Sequence, residues 1–363
     1  MTKHIAVLTS LIVSLANAQQ TTETFGGGPN QFNIEFVTIG NPGNKADANS
    51  GSYGPNGRNV GGVSYAYKIG KYEISREAIE KANSSAGLQL SLDMRTNWGN
   101  HRANQAATGL DWYCALRFVN YLNQSQGYLP AYKFSSSPGE NGYYPAKGIT
   151  SWNPSDAGYD PSNPLRNKGA KYFLPSADEW HKAAYYDPNK SGGGYWKYPT
   201  ASDTAPIPVE GGTGQNTAVY GQEVGPADIN NAGGLSPYGT MAQGGNVWEY
   251  QETIEDFSNI IIDTNTSYLI KKGWRGGAFD HYSDAWTFDS GRQDFTSLIR
   301  DYSGFRVASL VSDPQRYIVT LVTKYSPDLK NWFPFVTNQI TTFNDKEFYR
   351  VDIQSITNIP SSP

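Results

Sequence analysis

The chain has 363 residues, with 29 Lys+Arg against 33 Asp+Glu and a formal charge of -4. This acidic balance excludes general nucleic-acid binding, which requires a basic surplus to neutralise phosphates. Only 17% of residues are charged, while Gly numbers 38, Pro 21, Tyr 25 and Trp 9; coiled coil and global disorder are excluded, and a loop-rich structure cemented by aromatics is indicated.

At the start, Lys3 and His4 precede the apolar run Ile5 to Leu15 and then Ala16-Asn17-Ala18. This pattern predicts a secretory signal peptide over 1–18, and hence a protein that is periplasmic, extracellular or on the cell surface. The run is shorter than the roughly 18–20 apolar residues of a membrane span, so none is expected. Residues 19–31 are polar and Gly-rich and read as a flexible lead. From Phe32, alternation at Phe32, Ile34 and Phe36 predicts a strand; Ala66 to Ile74 predicts a second, feeding a short helix from Ser75. Asn41 to Gly62 between them is turn-rich.

Asp111 is placed to cap a helix over Trp112 to Asn123, whose Trp112, Leu116, Val119 and Leu122 form one apolar stripe. Cys114, the one cysteine of the chain, lies on it and rules out an intrachain disulfide. With no His or Lys at helical spacing to activate it, it is expected as a small buried or half-buried side chain. Ser176 with Glu179 forms a capping box opening a further helix, whose Trp180, Ala183 and Ala184 face inward before Asp187-Pro188 stops it. Pro188 to Gly245 reads as irregular loop. The large domain runs over 32–310; from 311 to 363 a small β appendage is expected, with strands at Tyr317 to Thr323, Trp332 to Val336 and Glu347 to Ile353.

Four motifs recur in order: Phe173-Leu174-Pro175-Ser176-Ala177-Asp178-Glu179-Trp180, Gly244-Gly245-Asn246-Val247-Trp248-Glu249-Tyr250, Trp274-Arg275-Gly276-Gly277-Ala278-Phe279 and Gly304-Phe305-Arg306. With these, Phe32 to Ser309 resembles the formylglycine-generating enzyme, or sulfatase-modifying factor, family. The resemblance implies an α+β fold, a loop-rich C-type lectin-like fold of the sulfatase-modifying factor type, here with a small C-terminal β module. That module looks similar to an add-on at the ends of bacterial exported proteins.

Fold alone does not carry activity. The resemblance implies a pair of copper(I)-binding cysteines after the Arg-Gly-Gly motif, but those positions hold His281 and Trp286. Soft copper needs soft ligands and one distant thiol cannot replace two, so no copper and no catalytic residue of the family type is expected: the chain reads as a pseudoenzyme. The resemblance also implies calcium, held by the carbonyls of Gly245 and Val247 and the carboxylate of Glu249, with Ala242 where a side-chain oxygen is needed and Asn216 as a weaker second position.

The stretch 279–292 interleaves Phe279, Tyr282 and Trp286 with Asp280, His281, Asp284 and Arg292, groups suited to a sugar ring or a protein patch. The expected function is therefore secreted, non-catalytic recognition or assembly, with a glycan, an extracellular protein or a second copy as partner. The alternative is an enzyme of altered chemistry using His281 and nearby carboxylates as acid and base.

Overall fold

A computed structural model describes residues 20–50, 58–95, 101–254, 272–281, 294–296, 302–312, 317–325 and 333–342. The expected signal peptide, 1–18, lies outside them. The strands of the five-stranded sheet, the four-stranded sheet and the C-terminal ladder are β1 Gln20–Phe25, β2 Phe32–Ile39, β3 Tyr67–Gly70, β4 Tyr172–Phe173, β5 Trp248–Ile254, β6 Lys272–Arg275, β7 Asp294–Thr296, β8 Ser303–Gly304, β9 Ala308–Leu310, β10 Tyr317–Tyr325 and β11 Phe333–Thr342. The helices are α1 Arg76–Ala86, α2 Trp112–Ser125 and α3 Ala177–Tyr185.

The first sheet has the order β1-β2-β3-β9-β4. Its outer strand corrects the expectation for 19–31: Gln20–Phe25 of this lead form β1, paired antiparallel to β2 from Gln20↔Val37 to Phe25↔Phe32. Thr21, Thr22 and Thr24 favour an extended backbone, and Phe25 at the strand end is fully buried. Its ring stacks on Phe32 at 5.8 Å and meets the edge of Tyr172 at 5.0 Å. Composition alone hid this anchor, because a polar strand with one buried aromatic looks like an arm.

The helices begin where their caps require. Asp111 accepts from the amide of Cys114 at 2.8 Å, and the stripe Trp112, Leu116, Val119 and Leu122 is entirely buried. The Trp112 indole donates to the carbonyl of Gln251 at 2.7 Å, fastening α2 to β5. Ser75 caps α1, which Gly87 ends in the left-handed region at φ 62°. In α3 the Ser176–Glu179 capping box is formed in both directions.

The second sheet, β7-β6-β5-β8, carries the motifs of the later half of the domain. Here β8 runs parallel to β5 and the other neighbours are antiparallel. Beyond the domain, β10 and β11 form an antiparallel ladder from Tyr317↔Thr342 to Tyr325↔Phe333, with a register shift at Thr323/Lys324. The last expected strand, 347–353, lies outside the described residues.

Candidate functional site

Pairing in the second sheet sorts the motif residues onto opposite faces. Glu249 opposes Arg275 and Tyr250 opposes Trp274 across β5 and β6, while Trp248 opposes Ser303 and Glu249 opposes Gly304 across β5 and β8. Side chains alternate along a strand, so Glu249 and Arg275 share one face, and Trp248, Trp274 and Ser303 share the other.

On the charged face the ionised groups are hydrogen-bonded. Glu249 is fully buried and takes a two-pronged bond from Arg306, Nε to Oε2 at 2.6 Å and an Nη to Oε1 at 2.5 Å. The Trp180 indole donates to the same Oε2 at 2.7 Å. Arg306 also donates to the carbonyls of Gly70, Lys71 and Met241. Beside it, Glu73 accepts from the Asn246 side-chain amide at 2.5 Å and the Val247 amide at 3.2 Å. Burial first, then the Glu249 charge, pushes the Glu73 carboxyl well above its usual range.

Further along this face, Arg275 donates to His181 Nδ1 at 3.0 Å, and His181 Nε2 lies 3.1 Å from Asp47 Oδ2. A guanidinium can only donate, so Nδ1 carries a lone pair and the proton is on Nε2, directed at Asp47. A second proton would break the Arg275 bond. Burial, opposed by the Asp47 hydrogen bond, moves this imidazole from 6.5 down to about 4.

The same contacts explain the motifs. Gly245 lies at φ 85°, and a Cβ there would be 2.4 Å from the carbonyl oxygen of Val219. Asn246 follows at φ 61° and accepts from the Ala227 amide at 2.7 Å, a left-handed position asparagine tolerates.

The donors expected to hold calcium do not fit the ion. The Glu249 carboxylate is committed to Arg306 and Trp180, and Ala242, at φ 63°, offers no side-chain oxygen. That leaves the carbonyls of Gly245 and Val247, short of the six to eight oxygens calcium takes. Asn216 uses its side-chain oxygen to accept from the Thr200 hydroxyl at 2.7 Å. Among the described residues no cluster of three His, Cys, Asp or Glu side chains forms a metal site.

The opposite face is aromatic and unlike the first. Trp248 and Trp274 stack at 4.4 Å, Tyr302 lies over Trp274 at 6.3 Å, and the His281 ring stands edge-on to Trp248 and Tyr302 at 5.6 and 5.7 Å. The Nε1 atoms of Trp248 and Trp274 and the hydroxyl of Ser303 are buried without a hydrogen-bond partner among the described residues. His281 Nδ1 and Asp280 Oδ1 are 3.1 Å apart but not aligned as a hydrogen bond, and both side chains are 29% exposed.

Of the residues expected to bind a ligand, His281 and Asp280 thus stand at this face. Phe279 is a correction: it is fully buried, its amide bonded to the Asn246 carbonyl at 2.9 Å, so its ring is core and unavailable as a binding surface. Tyr282, Asp284, Trp286 and Arg292 lie outside the described residues. Sequence reasoning missed Trp248, Trp274 and Ser303 as site residues; the alternation in Trp248-Glu249-Tyr250 and Lys272-Gly273-Trp274-Arg275 was the signal that could have found the two tryptophans. Cys114 is buried, and burial together with the adjacent Asp111 carboxylate pushes its thiol well up, away from a reactive thiolate.

Residues 42–311 match the family model described as "Sulfatase-modifying factor enzyme 1-like domain". A search among curated proteins finds no match. Among solved structures, Treponema denticola variable protein 1 is similar at a TM-score of 0.51 and 20% identity, covering 80% of this chain and 99% of that one. CarF is similar at 0.50 and 16%, covering 77% and 99%. At these identities the likeness speaks for the fold alone.

Proposed function

The chain belongs to the sulfatase-modifying factor family, and we propose that it uses this scaffold for recognition: a glycan or an extracellular protein docks at the part-exposed His281 and Asp280, where the His281 ring meets Trp248, with no cysteine oxidation. The carrying observation is the contrast between the two faces of one sheet, charged groups hydrogen-bonded on one and three buried polar atoms without a partner among the described residues on the other. An indole N–H only donates, and a buried donor left unmade costs about 1–3 kcal/mol. The polar groups of this face that a partner can reach are His281 and Asp280, each 29% exposed, so the preferred ligand presents hydrogen-bonding groups to them. The Lys3 to Ala18 pattern supports a location outside the cytoplasm. Among the described residues no helix is long and apolar enough to cross a membrane.

Screening the mature protein on a glycan array and against extracellular proteins tests this reading. His281→Ala, at a part-exposed side chain, is expected to keep the melting temperature and to weaken the partner at least about tenfold, as a central anchor does. Undiminished binding by that variant defeats the reading. The Asp280–His281 contact favours a second reading, a general acid–base pair. In that case the wild type, but not His281→Ala, converts the bound partner to a product of different mass.

A further inference from the structure

A groove of about 390 Å³ lies between α2 and the segment from Pro130 to Trp152. That is within the range of small-molecule sites, about 300–1,000 Å³. None of its lining residues belongs to the His281 face. Its walls include the half-buried rings of Phe134 and Trp152.

The charge of the lining is one-sided. Arg117 and Lys133 line the groove, and no Asp or Glu does. Arg117 is 4% exposed and its guanidinium lies 3.9 Å from the Phe134 ring centroid and 4.6 Å from that of Tyr143. It donates to the carbonyls of Pro145, Ser136, Tyr144 and Lys147. All four hydrogen-bond partners are neutral carbonyls, and the Asp111 carboxylate acts on this buried cation only through space. Lys133 pairs with Asp156 at 2.6 Å from a half-buried position, and Glu140 stands nearby, accepting from the Ser137 amide at 2.7 Å.

Polar groups remain free around these cations. The hydroxyls of Ser136 and Ser137 and the side-chain amide of Gln124 line the groove with no hydrogen-bond partner among the described residues. A flat apolar anion would leave them unmatched. A polyhydroxylated ring would meet them while laying its C–H face on Trp152 or Phe134.

We propose that this groove binds a saccharide carrying an anionic group, carboxylate or sulfate, with the anion beside Arg117 and Lys133 and the ring against Trp152 and Phe134. Asp156 then competes with the ligand for Lys133. This makes the site testable without disturbing Arg117, whose loss would also release the loop it holds.

Calorimetric titration of the mature protein uses glucuronate and glucose 6-sulfate as probes and glucose as the neutral counterpart. At least one anionic sugar is expected to saturate below about 10 mM and to bind at least about tenfold tighter than glucose, the better of the two identifying the anion. Lys133→Gln is expected to weaken that sugar several-fold, Asp156→Asn to tighten it, and His281→Ala to leave it unchanged. Equal binding of glucose, no saturation by either anionic sugar, or indifference to both Lys133→Gln and Asp156→Asn overturns the proposal. Loss of the sugar in a folded His281→Ala protein overturns it as well, by placing the ligand at the other face.

Discussion

Arg306→Met is expected to unfold the domain or lower its melting temperature by about 10 °C or more. The guanidinium is completely buried and joins three parts of the chain: Gly70 and Lys71 at the end of β3, the Met241 loop, and Glu249 on β5. Methionine fills similar volume, so little of the effect comes from a cavity. What remains is a buried Glu249 carboxylate without its cation, with Glu73 close enough to feel its charge. Breaking a buried pair by removing one partner costs about 3–5 kcal/mol, a large part of the 5–15 kcal/mol or so that holds a typical domain folded. Arg58→Ala supplies the contrast, since Arg58 pairs with Asp178 at 2.5 Å but its side chain is 52% exposed. That loss is expected to stay within about 1 kcal/mol. Thermal melts of both variants beside the wild type read the difference; a normal melt for Arg306→Met would refute the account of the charged face.

The second large effect is a dependence on pH carried by His181. Its folded pKa, about 4, lies below the unfolded 6.5, so between these values the unfolded chain binds the extra proton and stability rises with pH. The contribution is complete above pH 6.5 and lost as pH falls to about 4, amounting to about 3 kcal/mol. Glu73 works in the opposite direction. Its folded pKa is raised, so its contribution is present at low pH and lost as pH rises through that value. Asp47, held below 3.8 by His181 after burial is overcome, acts at lower pH than this window. His181→Gln isolates the histidine, because glutamine can donate to Asp47 and accept from Arg275 without titrating. Denaturant unfolding of both proteins at pH 4.5 and 7 is expected to show a smaller loss on acidification in the variant. Equal losses would mean that His181 does not carry the dependence.

Local signals made the helices legible in the sequence. Asp111 and Ser176 announce their helices because a side-chain oxygen must meet the first free amides, and the stripe from Trp112 to Leu122 faces inward as its spacing requires. The family motifs were equally readable, since their glycines answer fixed backbone needs such as the approach of Gly245 to Val219. The lead strand was not, because β1 depends on a partner strand and on burial of Phe25 rather than on its own polar residues. Nor was the division of the second sheet into a charged and an aromatic face. It depends on the register that sets Glu249 against Arg275 and Trp248 against Ser303, residues far apart in sequence. The commitment of Glu249 was hidden for a related reason: the sequence shows Glu249 but not that Arg306 and Trp180 reach its carboxylate.

The proposed change from cysteine oxidation to recognition is tested most directly by incubating the mature protein with copper, oxygen and a cysteine-containing sulfatase-motif peptide, and following the peptide by mass. With His281 and Trp286 where the family's thiols stand, and Cys114 buried with a raised pKa, the peptide is predicted to keep its cysteine and to form no aldehyde. Formation of formylglycine in that peptide would contradict the recognition reading.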